Sequence, residues 1–155
     1  MGQGRPRKLC CAASAGGHLD QLLALSDGWA SADVVFVTSL DVAGNALRRQ
    51  GSVHVIGECN REHPLRVLAV LLRCLRIAST ERFDAVISTG AAPGLLMSLA
   101  SKLFGAKVVW VDSIANIEKL SLSGRLIRPW ADLMLTQWPE VAELYSNVDY
   151  VGELV

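Results

Sequence analysis

Short apolar runs and stripes of helical spacing alternate along the whole chain. Leu9–Ala13 is an apolar run preceded by basic residues and followed by Ser14-Ala15-Gly16-Gly17, the pattern of a buried strand feeding a glycine turn. Residues 18–25 carry Leu19, Leu22, Leu23 and Leu25 at helical spacing, and Asp33–Thr38 is a second strand. Val42–Gln50 predicts a short helix, with Arg48 and Arg49 near the end that favours positive charge. Val53–Ile56 is a third strand. Pro64–Thr80 is a long helix, with proline suited to its first turn. Ala85–Ser88 is a fourth strand, and Leu95–Phe104 a helix closed by Gly105. Lys107–Val111 and Leu133–Thr136 complete six predicted strands, and Trp138–Tyr145 is the last predicted helix. The strands are apolar without clean alternation, as parallel strands covered on both faces are. The expected fold is therefore α/β: one Rossmann-like, doubly wound parallel sheet forming a single domain over residues 1–155. Ligands of such sheets sit at the carboxyl ends of the strands, so the loops after the first, fourth and fifth strands hold the candidate chemistry.

The loop after the first strand is Ser14-Ala15-Gly16-Gly17-His18. Its glycines permit a tight strand-to-helix turn, and the helix that follows aims free N–H groups at the crevice, which suits a phosphate. His18, on the first helical turn, is placed to take a proton from a sugar hydroxyl in its neutral form. The alternative is a tight turn with a solvent-facing histidine. The loop is not Gly-x-Gly-x-x-Gly, so a dinucleotide site is poorly supported. The second loop, Ser88-Thr89-Gly90-Ala91-Ala92-Pro93-Gly94, offers the hydroxyls of Ser88 and Thr89 and the backbone at Gly90 to an anion. Two helix ends converging on one crevice favour a diphosphate; the alternative is a small-residue turn for close helix–sheet packing. In the third loop, Asp112 follows an apolar strand and is expected to face the crevice, orienting an acceptor hydroxyl or pairing with His18. Capping of the following turn is the alternative.

The Pro64–Thr80 helix has one narrow polar stripe containing Arg66, Arg73 and Arg76, and an apolar arc of roughly 240°, where a surface helix needs little more than about 100°. Arginines bordering an apolar face suit a helix at a membrane interface; burial against neighbours or a partner chain is the alternative.

Composition adds three exclusions. Lys+Arg and Asp+Glu balance at 15 each, so no nucleic-acid partner is indicated. Cys10, Cys11, Cys59 and Cys74 contain no Cys-x-x-Cys pair, and His18, His54 and His63 do not fall at zinc-site spacing. No metal or other cofactor is expected, and the cysteines read as reduced core residues, Cys10 and Cys11 on opposite faces of their strand. No signal peptide is visible, and the longest uncharged stretch, Ala85–Ser101, is interrupted by Gly90, Pro93 and Gly94, so no transmembrane helix is expected. With 51% hydrophobic and 19% charged residues, some apolar surface is expected to meet a partner or a membrane.

Ser14-Ala15-Gly16-Gly17-His18-Leu19, Ser88-Thr89-Gly90, Val111-Asp112-Ser113, Leu120-Ser121-Leu122-Ser123-Gly124-Arg125-Leu126, Ala131-Asp132, Gln137-Trp138-Pro139 and Tyr150-Val151-Gly152 together resemble the asparagine-linked glycosylation protein 14 family, whose bacterial relatives are PssD-type subunits. The first loop is also similar to that of MurG-like transferases, which implies a base role for His18. The resemblance implies the N-terminal, acceptor half of a GT-B glycosyltransferase. A donor-binding catalytic subunit supplies the other half and the UDP-sugar, and the acceptor is a polyprenyl-diphosphate-linked saccharide. It further implies a cytoplasmic, peripheral location on the inner face of the cell membrane. Asp112 and Asn116 stand where relatives often carry Glu and Arg. The family's eukaryotic N-terminal anchor is not seen, which shifts membrane contact onto Pro64–Thr80. Two other readings compete: a non-catalytic membrane anchor for the partner, and an independent nucleotide-binding domain.

Overall fold

The structure is a computed structural model and describes residues 6–41 and 44–154. Seven parallel strands form one sheet in the order β3-β2-β1-β4-β5-β6-β7. They are β1 (Lys8–Ala13), β2 (Asp33–Thr38), β3 (Ser52–Val55), β4 (Ala85–Ser88), β5 (Lys107–Val111), β6 (Leu133–Thr136) and β7 (Asp149–Tyr150). β1 is an interior strand, with Cys10 beside Val35 on one side and Val86 on the other. The order reverses between β1 and β4, which opens a crevice at their carboxyl ends.

The alternating side chains of each strand feed two cores. Cys10 and Ala12 join the larger core with α3 (Pro64–Glu81), α4 (Ala91–Leu103), α5 (Leu122–Ile127) and α6 (Pro139–Leu144), through Val70, Cys74, Leu96, Met97, Ile127 and Val141. Cys11 and Ala13 join the smaller core with α1 (Gly17–Leu23), a 3-10 turn at Ser26–Trp29 and α2 (Gly44–Arg48). The two adjacent cysteines thus face opposite sides, as expected. All four cysteines are free; burial pushes the thiols of Cys11 and Cys74 up to about 12.

The six expected strands are present. Three elements were not foreseen: the 3-10 turn at Ser26–Trp29, α5, six residues long, and β7, two residues long, all too short to show a period. Helix α4 starts four residues earlier than expected, because Gly90 (φ 135°) and Ala91 (φ 64°) turn the chain straight from β4 into the helix. Helix α1 stops at Leu23, and α6 is shorter at both ends than its expected span. Val42 and Ala43, part of the expected second helix, lie outside the described residues.

Helix α3 is half covered. Val70, Cys74 and Ala78 are buried on its sheet-facing side, while Leu65, Leu68 and Leu72 are 81%, 52% and 58% exposed on the opposite side. Neighbouring helices therefore do not account for its wide apolar arc. No helix among the described residues is long and apolar enough to cross a membrane.

Candidate functional site

The loops after β1 and β4 meet through a two-way clasp. His18, the second residue of α1, has Nδ1 3.0 Å from the carbonyl oxygen of Thr89, and the Thr89 hydroxyl donates back to the His18 carbonyl. A carbonyl only accepts, so Nδ1 carries the proton and the lone pair of the neutral ring lies on Nε2. No described residue bonds Nε2. The ring lies over Gly90: a Cβ there would stand 2.7 Å from both Cε1 and Nδ1 of the imidazole. A bare backbone in a glycine-favoring conformation is thus what allows the histidine its place. This arrangement orients a half-buried imidazole with an open basic nitrogen at the crevice, which a general base requires.

The hydroxyls of the second loop do other work than expected. Ser88 is fully buried; its Oγ accepts from the Gly90 N–H at 3.3 Å and lies beneath the first turn of α4. Thr89 is fully buried in the clasp. Both side chains are turned into the fold and build the loop, engaged by the close approach of α4 to β4 and of α1 to the loop.

Asp112 also departs from expectation. It is 1% exposed and does not pair with His18. Its carboxylate accepts from Trp110 Nε1 (3.0 Å), the Ser121 N–H (2.7 Å) and the Ser121 hydroxyl (2.6 Å). Ser121 in turn caps α5 by accepting from the Gly124 N–H at 2.8 Å. A Cβ on Gly124 would come within 2.5 Å of Asp112 Oδ1. The Ser121–Gly124 motif therefore docks α5 onto the end of β5, and Asp112 is its anchor; the helix cap itself is Ser121, so Asp112 neither pairs with His18 nor caps the turn that directly follows it.

Two buried amides complete the crevice floor. Gln137 Nε2 donates to Gln21 Oε1 (2.7 Å) and to the Asp112 carbonyl (3.0 Å), while its Oε1 accepts from the Leu154 N–H (2.9 Å). Gln21 Oε1 also accepts from the Ile114 N–H at 3.2 Å, and Trp138 Nε1 donates to the Ile114 carbonyl at 2.7 Å. Gln21 lies three residues after His18 on α1, so this network fixes the helix that carries the histidine. Gln21 escaped the sequence reading; a lone amide between Leu19 and Leu22 on the buried side of a helix was the available signal.

A cleft of about 190 Å³ opens beside the clasp. Ser14 and Ser39 line it from the ends of β1 and β2, Glu58, Cys59 and Asn60 from the loop after β3, and Ala91 and Pro93 from the first turn of α4. His63 and Arg66 reach it from the start of α3. Ala15 N–H donates to Ser39 Oγ at 3.0 Å, which holds two of these loops together. Gly16 and Gly17, both exposed, have open space above them. The three arginines of the expected membrane stripe do not act alike. Arg66 lines this cleft, Arg73 donates to the Ile56 carbonyl at 2.7 Å, and Arg76 is exposed beside Arg73. The loop after β3 was not among those singled out from sequence. The described residues hold no cluster of metal-ligating side chains.

Comparison with known proteins identifies the family and the fold. The family model "Oligosaccharide biosynthesis protein Alg14 like" matches residues 55–154. The UDP-N-acetylglucosamine transferase subunit ALG14 of Yarrowia lipolytica is 42% identical over 87 residues, covering 52% of this chain and 40% of that protein. The subunit alg14 of Schizosaccharomyces pombe is 39% identical over 59 residues, covering 37% of this chain and 28% of that protein. The chain thus spans well under half the length of these curated relatives. MurG of Acinetobacter baumannii superposes with a TM-score of 0.77 at 17% identity, over 95% of this chain and 46% of that one. UDP-N-acetylglucosamine 2-epimerase of Rickettsia bellii gives 0.70 at 13% identity, over 97% and 46%. These likenesses show the fold, a Rossmann-like doubly wound parallel sheet that matches about half of each of these larger chains. With the family model reaching from β3 through Leu154, and with its matched segment building the α5 dock and the Gln137 network, this chain belongs to the Alg14-like oligosaccharide biosynthesis proteins.

Proposed function

We propose that this chain is the acceptor-side half of a two-chain glycosyltransferase. A separate donor-binding subunit holds the UDP-sugar, and this chain holds a polyprenyl-diphosphate-linked saccharide at the carboxyl ends of β1 and β4. The names of the relatives as UDP-N-acetylglucosamine transferase subunits support N-acetylglucosamine as the sugar and support the need for a partner. The observation that carries the reading is the clasp, which leaves Nε2 of His18 as an oriented, unbonded base. In the transfer, an acceptor hydroxyl oxygen attacks the anomeric carbon, its proton passes to His18 Nε2, and the bond to the diphosphate of the UDP-sugar breaks with inversion. Ser14, Gly16 and Gly17 border the acceptor's path, with open backbone at the two glycines.

The exposed Leu65-Leu68-Leu72 stripe with Arg73 and Arg76 beside it supports a peripheral location on the cytoplasmic membrane face. Replacement of Arg76 by Glu is expected to weaken cosedimentation with anionic vesicles at low salt, each such charge contributing about 1 kcal/mol.

The deciding experiment is reconstitution. The purified chain alone is expected to transfer no sugar, and co-expression with its donor-binding complement to restore transfer. In that complex His18→Ala is expected to lower kcat by about 10²–10⁴-fold, the usual worth of a general base, with His18→Gln nearly as poor. A fully active His18→Ala complex removes the histidine from the chemistry and leaves the chain as a non-catalytic anchor.

A further inference from the structure

We propose that the cleft between the starts of α3 and α4 receives the acceptor's diphosphate, with Arg66 as its cation and His63 as a second donor. This assignment rests on the acceptor-side reading above and adds the residues that recognise the anion. The glycine loops alone leave the anion without a charged partner. Ser88 and Thr89 are buried and engaged within their own loop. Of the arginines on α3, Arg73 is tied to the Ile56 carbonyl, whereas the guanidinium of Arg66 makes no hydrogen bond or ion pair with any described residue and lines the cleft. An open guanidinium is suited to phosphate oxygens through paired N–H donors.

Size, position and surroundings agree on the ligand class. The cleft, about 190 Å³, has room for about six waters, the scale of a diphosphate group. Ala91 lines it, and its neighbour Gly90 lies under the His18 ring, so the cleft and the base border the same loop. Glu58 lines the same cleft and makes no ion pair with Arg66 among the described residues. Its carboxylate disfavors a bare anion and suits a ligand that carries hydroxyl or amide donors beside its phosphates, as a glycosyl diphosphate does. Leu65, next to Arg66, is 81% exposed and begins the stripe through Leu68 and Leu72, which rises about 10 Å along α3. An apolar track starting at the lip of the cleft fits a lipid-linked diphosphate and not a nucleotide.

The test uses the full chain without partner or turnover, so its outcome is separate from that of the transferase reading. Inorganic pyrophosphate is titrated into the 15N-labelled protein by NMR, with cosedimentation on phosphatidylglycerol vesicles as a second arm. Pyrophosphate is expected to shift the amides of Ala91 and Ala92 and the Arg66 Nε resonance. Arg66→Gln is expected to weaken binding by about tenfold or more, the loss of one charge-assisted contact, and Arg66→Lys to restore part of it. Glu58→Gln is expected to tighten pyrophosphate severalfold, and Arg76→Gln, exposed and away from the cleft, to leave it unchanged. Vesicle binding is expected to survive Arg66→Gln. Absent shifts, equal affinity in Arg66→Gln, or loss of the anion in Arg76→Gln each overturn the assignment. Loss of vesicle binding in Arg66→Gln with pyrophosphate affinity intact makes Arg66 a lipid-headgroup ligand, and overturns it as well.

Discussion

Replacing Gly90 by alanine tests how the base is held. The new Cβ would stand 2.7 Å from His18 Cε1 and Nδ1, where ordinary contacts begin at 3.4 Å, so the imidazole has to retreat by about 0.7 Å. The backbone at φ 135° and ψ −169° is essentially reserved for glycine and costs an alanine about 1–3 kcal/mol. Weakening of the Nδ1–Thr89 hydrogen bond adds about 1 kcal/mol. At about 2–4 °C per kcal/mol for a domain of this size, Tm is expected to fall by about 5–15 °C. Activity is expected to fall further than stability explains: a 1 Å misplacement of a reacting group costs on the order of 10²-fold, so kcat of the reconstituted complex should drop about 10- to 100-fold below Tm. The double variant Gly90→Ala/His18→Ala separates the two causes. Without the ring the clash disappears and only the backbone strain remains, so the stability losses should be less than additive by about 1 kcal/mol. Scanning calorimetry of the three variants and single-turnover kinetics supply both readings. Strictly additive stability losses together with an undiminished kcat in Gly90→Ala would refute the clasp as the positioning device.

Gly124→Ala should lower stability by about 1–3 kcal/mol through its clash with Asp112, even though alanine is the better helix former by about 1 kcal/mol; a raised Tm would show that the α5 dock is slack. Hydrogen bonding from Lys8, then from His54, holds the Glu81 carboxyl below its ordinary range against the opposing effect of burial. Its contribution, about 1 kcal/mol for a partly exposed pair, is therefore full above the ordinary carboxylate range and lost as pH falls through the lowered folded value. Urea unfolding of Glu81→Gln should accordingly differ from the parent at pH 7 and converge with it near the acid limit; a difference that persists in acid would contradict the assignment. Thiol titration of the native protein at pH 8 should modify Cys59 alone and slowly, because burial raises its thiol only in part, whereas denaturation should release all four; rapid labelling of Cys11, at about 12, would mean that the sheet opens.

The sheet was legible because its strands are unbroken apolar runs and its long helix has a clear period. The α1 loop was legible for a similar reason: two glycines followed by a histidine after a strand leave few conformations. What could not be read was the direction of polar side chains at the strand ends. Asp112 follows its strand as a crevice residue would, yet the docking of α5 nine residues later turns it inward, and that packing has no local signature. Ser88 was lost to the crevice in the same way, by the closeness of α4. The helical stripe placed Arg66, Arg73 and Arg76 together by angle, but their partners depend on position along the axis: Arg66 meets the loop after β3, and Arg73 the end of that strand.

The amide pair Gln21–Gln137 has a mechanical meaning. The last strand is two residues long and offers little grip, whereas the Leu154 N–H is fastened to Gln137, and Gln137 to the helix bearing His18. A load applied at residues 152–154 is therefore shared between the sheet edge, where the Val151 N–H donates to the Thr136 carbonyl, and α1. A pull on that segment thus has a route to the helix that carries the base, and that route runs through two glutamine side chains.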